Sequence, residues 1–188
     1  MIETTANEYI RRAFGGEEFF CYVPIDKKVI LQCEGSEINE SEAIRRGYDK
    51  IHIPMPGGAI VLSEGDIAFG FASKNRTEDY RKIVLGDIAA MLRSKGINAA
   101  ENNNDVTVNG YKVVGYAQSV PSPLLCVAIA VSMNANLEDI RAICTKDMVK
   151  VPTGLSNYGI TRQDMIDVFY NIENRVLGKS YKIYRQKL

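Results

Sequence analysis

Asn104-Asp105-Val106-Thr107-Val108-Asn109-Gly110-Tyr111-Lys112-Val113-Val114-Gly115-Tyr116-Ala117-Gln118 is the stretch whose reading fixes the fold. Two β-rich runs flank Asn109-Gly110, and Asn-Gly supplies the pair of left-handed residues that a tight hairpin turn needs. Lys112 lies inside the second run, between Gly110 and Gly115. A strand lysine commonly just faces solvent. At a glycine-lined pocket the same ammonium neutralises a phosphate or a developing oxyanion. A second stretch, Pro56-Gly57-Gly58-Ala59-Ile60-Val61-Leu62-Ser63-Glu64-Gly65-Asp66, sets paired glycines between two further runs. Such a pair lets backbone approach a ligand and offers N–H groups to an anion, but more often it only makes a turn.

Outward from these stretches the chain alternates between strand and helix signals. Thr4 or Thr5 is placed to cap a helix over 7–14, closed by Gly15-Gly16. Strands are expected over 19–23, 28–32, 49–53, 59–62, 66–72 and 124–133, with a short helix over 39–46 before Gly47. Pro54 to Gly58 reads as a chain break, and Glu101 to Asp105 as a polar connection. Apolar Ile83, Val84, Ile88, Met91 and Leu92 share one face of what reads as the longest helix, over 79–92. Helices are also expected over 137–143 and 161–175, the latter opened by a Thr161/Asp164 capping-box variant. This order favours an α+β fold: a mixed, mainly antiparallel sheet with flanking helices rather than a doubly wound one. Residues 1–177 read as one domain and the basic 178–188 as a poorly ordered tail, with no accessory domain.

Lys plus Arg and Asp plus Glu both number 23, so no net field draws in nucleic acid or an anionic membrane. No apolar run reaches the length of a membrane span, and Met1-Ile2-Glu3 opens no secretory signal. Cys21, Cys33, Cys126 and Cys144 form no CxxC pair, and His52 is the only histidine. No metal ligands are assigned, a Ser-His-Asp hydrolase is disfavoured, and the thiols read as reduced and the location as cytoplasmic. His52, inside the alternating Lys50-Ile51-His52-Ile53, reads as structural.

In collinear order the two stretches resemble the lipoate–protein ligase A family, which sits with biotin ligases and octanoyltransferases. Gly57-Gly58-Ala59-Ile60, Gly65 and Asp66 follow its Arg-Arg-x-Ser-Gly-Gly-Gly-Ala-Val-x-His-Asp-x-Gly-Asn segment. Asn104-Asp105, Gly110, Lys112, Gly115 and Ala117 follow its Arg-Asn-Asp, hairpin and Gly-x-Lys-x-Ser-Gly-Ser-Ala. Lys28-Val29-Ile30-Leu31, Glu42 to Gly47, Lys150 to Ser156 and Gly159 to Arg162 also resemble family stretches, so the similarity spans about residues 2 to 175.

The resemblance implies a lipoate/biotin-ligase catalytic-domain fold and transfer of a lipoyl or octanoyl group to a lysine of a lipoyl-type carrier domain. Lys112 is then the catalytic group. Gly57, Gly58, Ala59, Asn104, Asp105, Gly115 and Ala117 bind substrate, and an apolar tunnel takes the acyl chain. ATP with Mg is the implied activating pair. Asp105 either orients Lys112 or binds a metal-linked nucleotide, or it caps the hairpin; these readings stay open. The chain also departs from the family. His52 and Ile53 stand at the arginine pair, Pro56 at the first glycine, Leu62-Ser63 at His-Asp and Asn103 before Asn-Asp. Val114-Gly115-Tyr116 replaces Ser-Gly-Ser. Losing two bidentate phosphate donors weakens ATP use more than it weakens the fold. Three alternatives follow: a catalytically degenerate binding protein for an acyl or nucleotide ligand or a protein partner, an octanoyltransferase using Lys112 and Cys144, and a biotin enzyme. Against the second, Cys144 reads first as a small buried hydrophobe.

Overall fold

A computed structural model describes residues 1–3, 5–75, 78–119, 124–145 and 150–177; the basic tail lies outside them. The elements run β1 (Ile2–Glu3), α1 (Ala6–Phe14), β2 (Phe19–Pro24), β3 (Val29–Glu34), α2 (Glu40–Arg45), β4 (Asp49–Pro56), β5 (Ala59–Leu62) and β6 (Ile67–Ser73). Then come α3 (Tyr80–Ser94), β7 (Ala99–Asn102), β8 (Asp105–Val108), β9 (Tyr111–Ser119), β10 (Leu125–Val131), α4 (Leu137–Ile143) and α5 (Arg162–Leu177). A 3-10 turn, Leu155–Tyr158, precedes α5. Side chains start the helices. The Thr5 hydroxyl accepts the Glu8 N–H, and the Asn39 and Asn136 side chains accept those of Glu42 and Asp139. Thr161 and Asp164 bond reciprocally, as their spacing predicts.

A seven-stranded sheet has the order β1-β2-β6-β10-β9-β8-β7, and a three-stranded sheet the order β4-β3-β5. Among the strand pairs of the described residues, only β1/β2 and β3/β4 are parallel, so the α+β, mainly antiparallel expectation holds. All seven residues of β6 are buried because both faces of the large sheet are covered. Ile67, Phe69 and Phe71 meet α3 and α5, with Phe69 stacked on Phe169. Each fully buried large apolar side chain in this layer contributes about 1.5–3 kcal/mol. Ala68 and Ala130 face the small sheet, where Leu31, Ile53 and Leu62 complete a second core. Large side chains thus fill one face of the central strands and small ones line the other.

Three expectations are corrected, and one short strand is added. The strand expected to stop at Ile53 runs on to Pro56, with a register shift opposite Cys33/Glu34; β4 is an edge strand, where proline removes no ladder bond. Part of the expected polar connection, with Ala99 and Ala100, is β7, an edge strand whose exposed residues carry no alternation. β1 was too short to read. The longest helix is α5, at 16 residues against 15 for α3. The Asn109-Gly110 turn forms as expected, with φ of 51° and 85°.

Candidate functional site

Between the β4–β5 turn and β9 lies a cavity of about 720 Å3, bordered also by the first turn of α3, the end of α4 and Lys150. Lys112 reaches it through an irregularity in β9. Val106 pairs with Val114 but Thr107 with Lys112, leaving Val113 as an extra residue. Strict alternation puts Lys112 on the face of Val114 and Tyr116, against the helices. The bulge turns it to the face of Gly115 and Ala117, which border the cavity. Beyond the bulge, β9 is anchored by the following segment: the Lys112 N–H donates to Val151 O and the Thr153 N–H to Lys112 O, both at 2.9 Å.

That anchoring delivers a second cation. Lys112 Nζ lies 2.7 Å from Asp105 Oδ1, and Lys150 Nζ lies 2.7 Å from Asp105 Oδ2. Burial works to raise the Asp105 carboxyl, but the two lysine hydrogen bonds outweigh it and hold it below its usual range. The ionised carboxylate bridges both ammonium groups. The Lys112 side chain remains 41% exposed, so its ammonium stays accessible from the cavity. Gly115 lets it lie there: a Cβ at Gly115 would stand 3.2 Å from Lys112 Cε and Nζ.

Across the cavity, Gly57 and Gly58 differ. Neither has a positive φ, so no strained turn demands glycine. A Cβ on Gly57 would press on Cys33 Sγ at 3.1 Å, whereas one on Gly58 would meet nothing within 4 Å. Ala59, Asn104 and Asp105 border the same cavity, and Asn104 O accepts the Tyr116 N–H at 2.8 Å. The sequence-named residues Lys112, Gly57, Gly58, Ala59, Asn104, Asp105, Gly115 and Ala117 therefore meet at one cavity. Cys144 borders it as well, but it is half-buried and burial raises its thiol pKa, which disfavours the nucleophilic thiolate. Asp66 lies outside it: the carboxylate accepts the N–H groups of Ser63, Met133 and Asn134, tying the β5–β6 turn to the end of β10.

Sequence reasoning missed two cations on the cavity wall, Lys150 and Arg81. Lys150 belonged to a family-like stretch, but its role needs the chain to return beside β9. At the arginine-pair positions, His52 is exposed on β4 and Ile53 is buried in the inter-sheet core. Among the described residues, no three His, Cys, Asp or Glu side chains gather as for a metal. Among the described residues the cavity carboxylates are Asp79 and Asp105, and Asp105 is already neutralised by two lysines, so the described lining does not fit a protein-held magnesium. The arrangement suits an amphiphile: an anionic or carbonyl head beside Lys112, and an apolar body on Ile60, Ala117 and Ala130.

Comparisons with known proteins agree with this architecture. The family model described as the lipoyl protein ligase A/B catalytic domain matches residues 30–168. Among solved structures, a T. acidophilum protein with bound lipoic acid superposes with a TM-score of 0.74 at 14% identity, covering 94% of this chain and 83% of its own. Lipoate-protein ligase A bound with ATP gives 0.71 at 15% identity, with 94% and 83% covered. The bi-partite lipoate protein ligase of Thermoplasma acidophilum, described with its E2 lipoyl domain, gives 0.70 at 14%, with 94% and 82% covered. At such identities these likenesses show the fold. No curated protein matches the chain in sequence. Among the described residues no helix is long and apolar enough to cross a membrane.

Proposed function

Because the chain belongs to the family of lipoyl protein ligase A/B catalytic domains, we propose that it transfers a lipoyl or octanoyl group to a lysine of a lipoyl-type carrier domain. The observation that carries this reading is Lys112, held at 2.7 Å by Asp105 at the rim of a cavity with apolar residues behind it. The acyl carbonyl lies against the Lys112 ammonium, and the chain runs inward over Ala117 and Ala130. The carrier amine attacks the carbonyl carbon and forms the amide C–N bond. The bond to the leaving group, adenylate or thiolate, breaks, and the amine proton goes to that group or to solvent. A fixed ammonium beside an apolar wall stabilises the developing oxyanion more than the same charge in water. That related structures are described with bound lipoic acid, with bound ATP, and, for a lipoate protein ligase, alongside its E2 lipoyl domain supports the ligand and partner classes.

Activation of a free acid with ATP is the weaker part of the proposed chemistry. His52 and Ile53 offer no charge to the cavity from the arginine-pair positions, and each missing contact to phosphate removes about 1.5–3 kcal/mol. Lys150 and Arg81 are the cations placed to compensate in part. A non-catalytic binding role is the second reading, favoured by those same positions. The test incubates a lipoyl-type carrier domain with the protein and each of three donors: free acid plus ATP, preformed acyl-adenylate, and acyl-carrier thioester. Intact-mass spectrometry should show acylation from the adenylate or thioester and about 10²–10⁴-fold less from acid plus ATP. No transfer from any donor, with acyl binding intact, would replace this reading with the binding role.

A further inference from the structure

Lys150 reaches the cavity wall on the segment that pairs with β9. Its Nζ lies 2.7 Å from Asp105 Oδ2 and donates to Asn102 O at 3.3 Å. Asn102 and Asp105 pair in register where β7 turns into β8, so one ammonium holds both arms of that turn. Asp105 also pairs in register with Gly115, the residue over which the end of Lys112 lies. The segment that carries Lys150 fixes Lys112 from the other side: Val151 O accepts the Lys112 N–H, and the Thr153 N–H donates to Lys112 O. One segment thus reaches Lys112 twice, at its backbone directly and at its ammonium by way of Asp105.

The cluster is graded in burial. The Lys150 and Asp105 side chains are 19% and 17% exposed, against 41% for Lys112. Among the described residues, Lys150 Nζ has two acceptors and Lys112 Nζ only Asp105. Two ammonium groups on one carboxylate leave one positive charge over. A carboxylate facing Lys112 alone would form a neutral pair, which offers little field to a nearby carbonyl and grips the lysine firmly in a low-dielectric wall. With Lys150 bonded to Oδ2, Asp105 is neutralised from the buried side. Lys112 stays anchored through Oδ1 and keeps its charge for the cavity.

We propose that Lys150 is a positioning residue for acyl transfer, holding and neutralising Asp105 so that Lys112 is anchored without losing its positive charge toward the acyl carbonyl. This inference rests on the acyl-transfer reading of the cavity and adds a residue that acts through another. It has two signatures. The effect of Lys150 is independent of the leaving group, because the developing oxyanion is common to adenylate and thioester donors. It also vanishes when Asp105 carries no charge. A direct contact from Lys150 to a donor phosphate behaves in the opposite way: it is confined to the adenylate and persists without the Asp105 charge.

The test measures initial rates of carrier-domain acylation by the full chain from preformed octanoyl-adenylate and from an octanoyl thioester. The variants are Lys150→Met, Lys150→Arg, Asp105→Asn and the double variant Asp105→Asn/Lys150→Met. Lys150→Met should lower kcat by about 10–10²-fold with both donors, leaving the donor KM within about 3-fold. Lys150→Arg, which keeps a cation able to bond a carboxylate, should recover kcat to within about 3-fold of wild type. In the Asp105→Asn background, adding Lys150→Met should change kcat by less than about 3-fold, because the two residues act as one unit. Lys150→Gln replaces Lys150→Met if the latter does not fold, and with one active donor the Asp105→Asn comparison on that donor decides. Wild-type rates in folded Lys150→Met, a loss confined to the adenylate, or an undiminished loss in the Asp105→Asn background overturns the role of Lys150 and leaves the acyl-transfer reading standing. No acylation by folded wild type from either donor overturns both.

Discussion

Gly115→Ala separates the placement of Lys112 from the integrity of the fold. Gly115 is in a strand at an ordinary φ, so alanine fits the backbone and should stabilise it by about 0.5–1 kcal/mol. In a domain of this size that raises Tm by about 1–4 °C. The new methyl, however, stands 3.2 Å from Lys112 Cε and Nζ. The lysine end is flexible and yields at little cost to folding, but yielding pulls it from Asp105, now at 2.7 Å. A misplacement of up to about 1 Å at a reacting group costs on the order of 10–10² in rate. The assay is kcat/KM for transfer from preformed acyl-adenylate to a carrier domain, beside calorimetric Tm. The expected result is a protein at least as stable as wild type and about 10–10²-fold slower. Full activity with raised Tm would refute the claim that the perch on Gly115 positions Lys112, and lowered Tm would refute the packing argument.

Gly58→Val puts its side chain into open cavity, so the protein should keep its Tm within about 1 °C while octanoate affinity falls by at least about 10-fold; isothermal titration reads the second. Cys144→Ser should keep transfer from an acyl thioester within about 3-fold, because burial already raises the thiol pKa; near-complete loss would identify Cys144 as a nucleophile. Asp164 is held at about pKa 2, first by the hydrogen bond from Lys95 and then by Thr161. Its folded pKa lies below the unfolded value, so its stabilisation is fully present above about pH 4 and is lost as pH falls through about 2. Asp164→Asn should therefore be less stable by about 1 kcal/mol at pH 7, with the gap closing near pH 2 in urea titrations.

Local chemistry made much of the fold legible. Asn109-Gly110 announces its hairpin because few residues adopt two successive positive φ angles, and Thr161/Asp164 announces α5 because the reciprocal bonds span three residues. The edge strand β7 was hidden because a strand with exposed faces has no apolar alternation to read. Resemblance named Lys112, Asp105 and the glycines that border the cavity, but not how Lys112 reaches it. The Val113 bulge depends on pairing with β8 and on Val151 to Thr153, which follow about forty residues later. Lys150 was invisible for the same reason: it reaches Asp105 by the return of a distant segment.

The central claim is that Lys112 promotes acyl transfer from this cavity. Intact-mass spectrometry of a lipoyl-type carrier domain, incubated with preformed lipoyl- or octanoyl-adenylate and either wild type or Lys112→Ala, tests it most directly. Wild type should add one acyl group to a carrier lysine, and folded Lys112→Ala should do so at least about 10²-fold more slowly. Equal rates for the two proteins, or no acylation by wild type above the protein-free background, would contradict it.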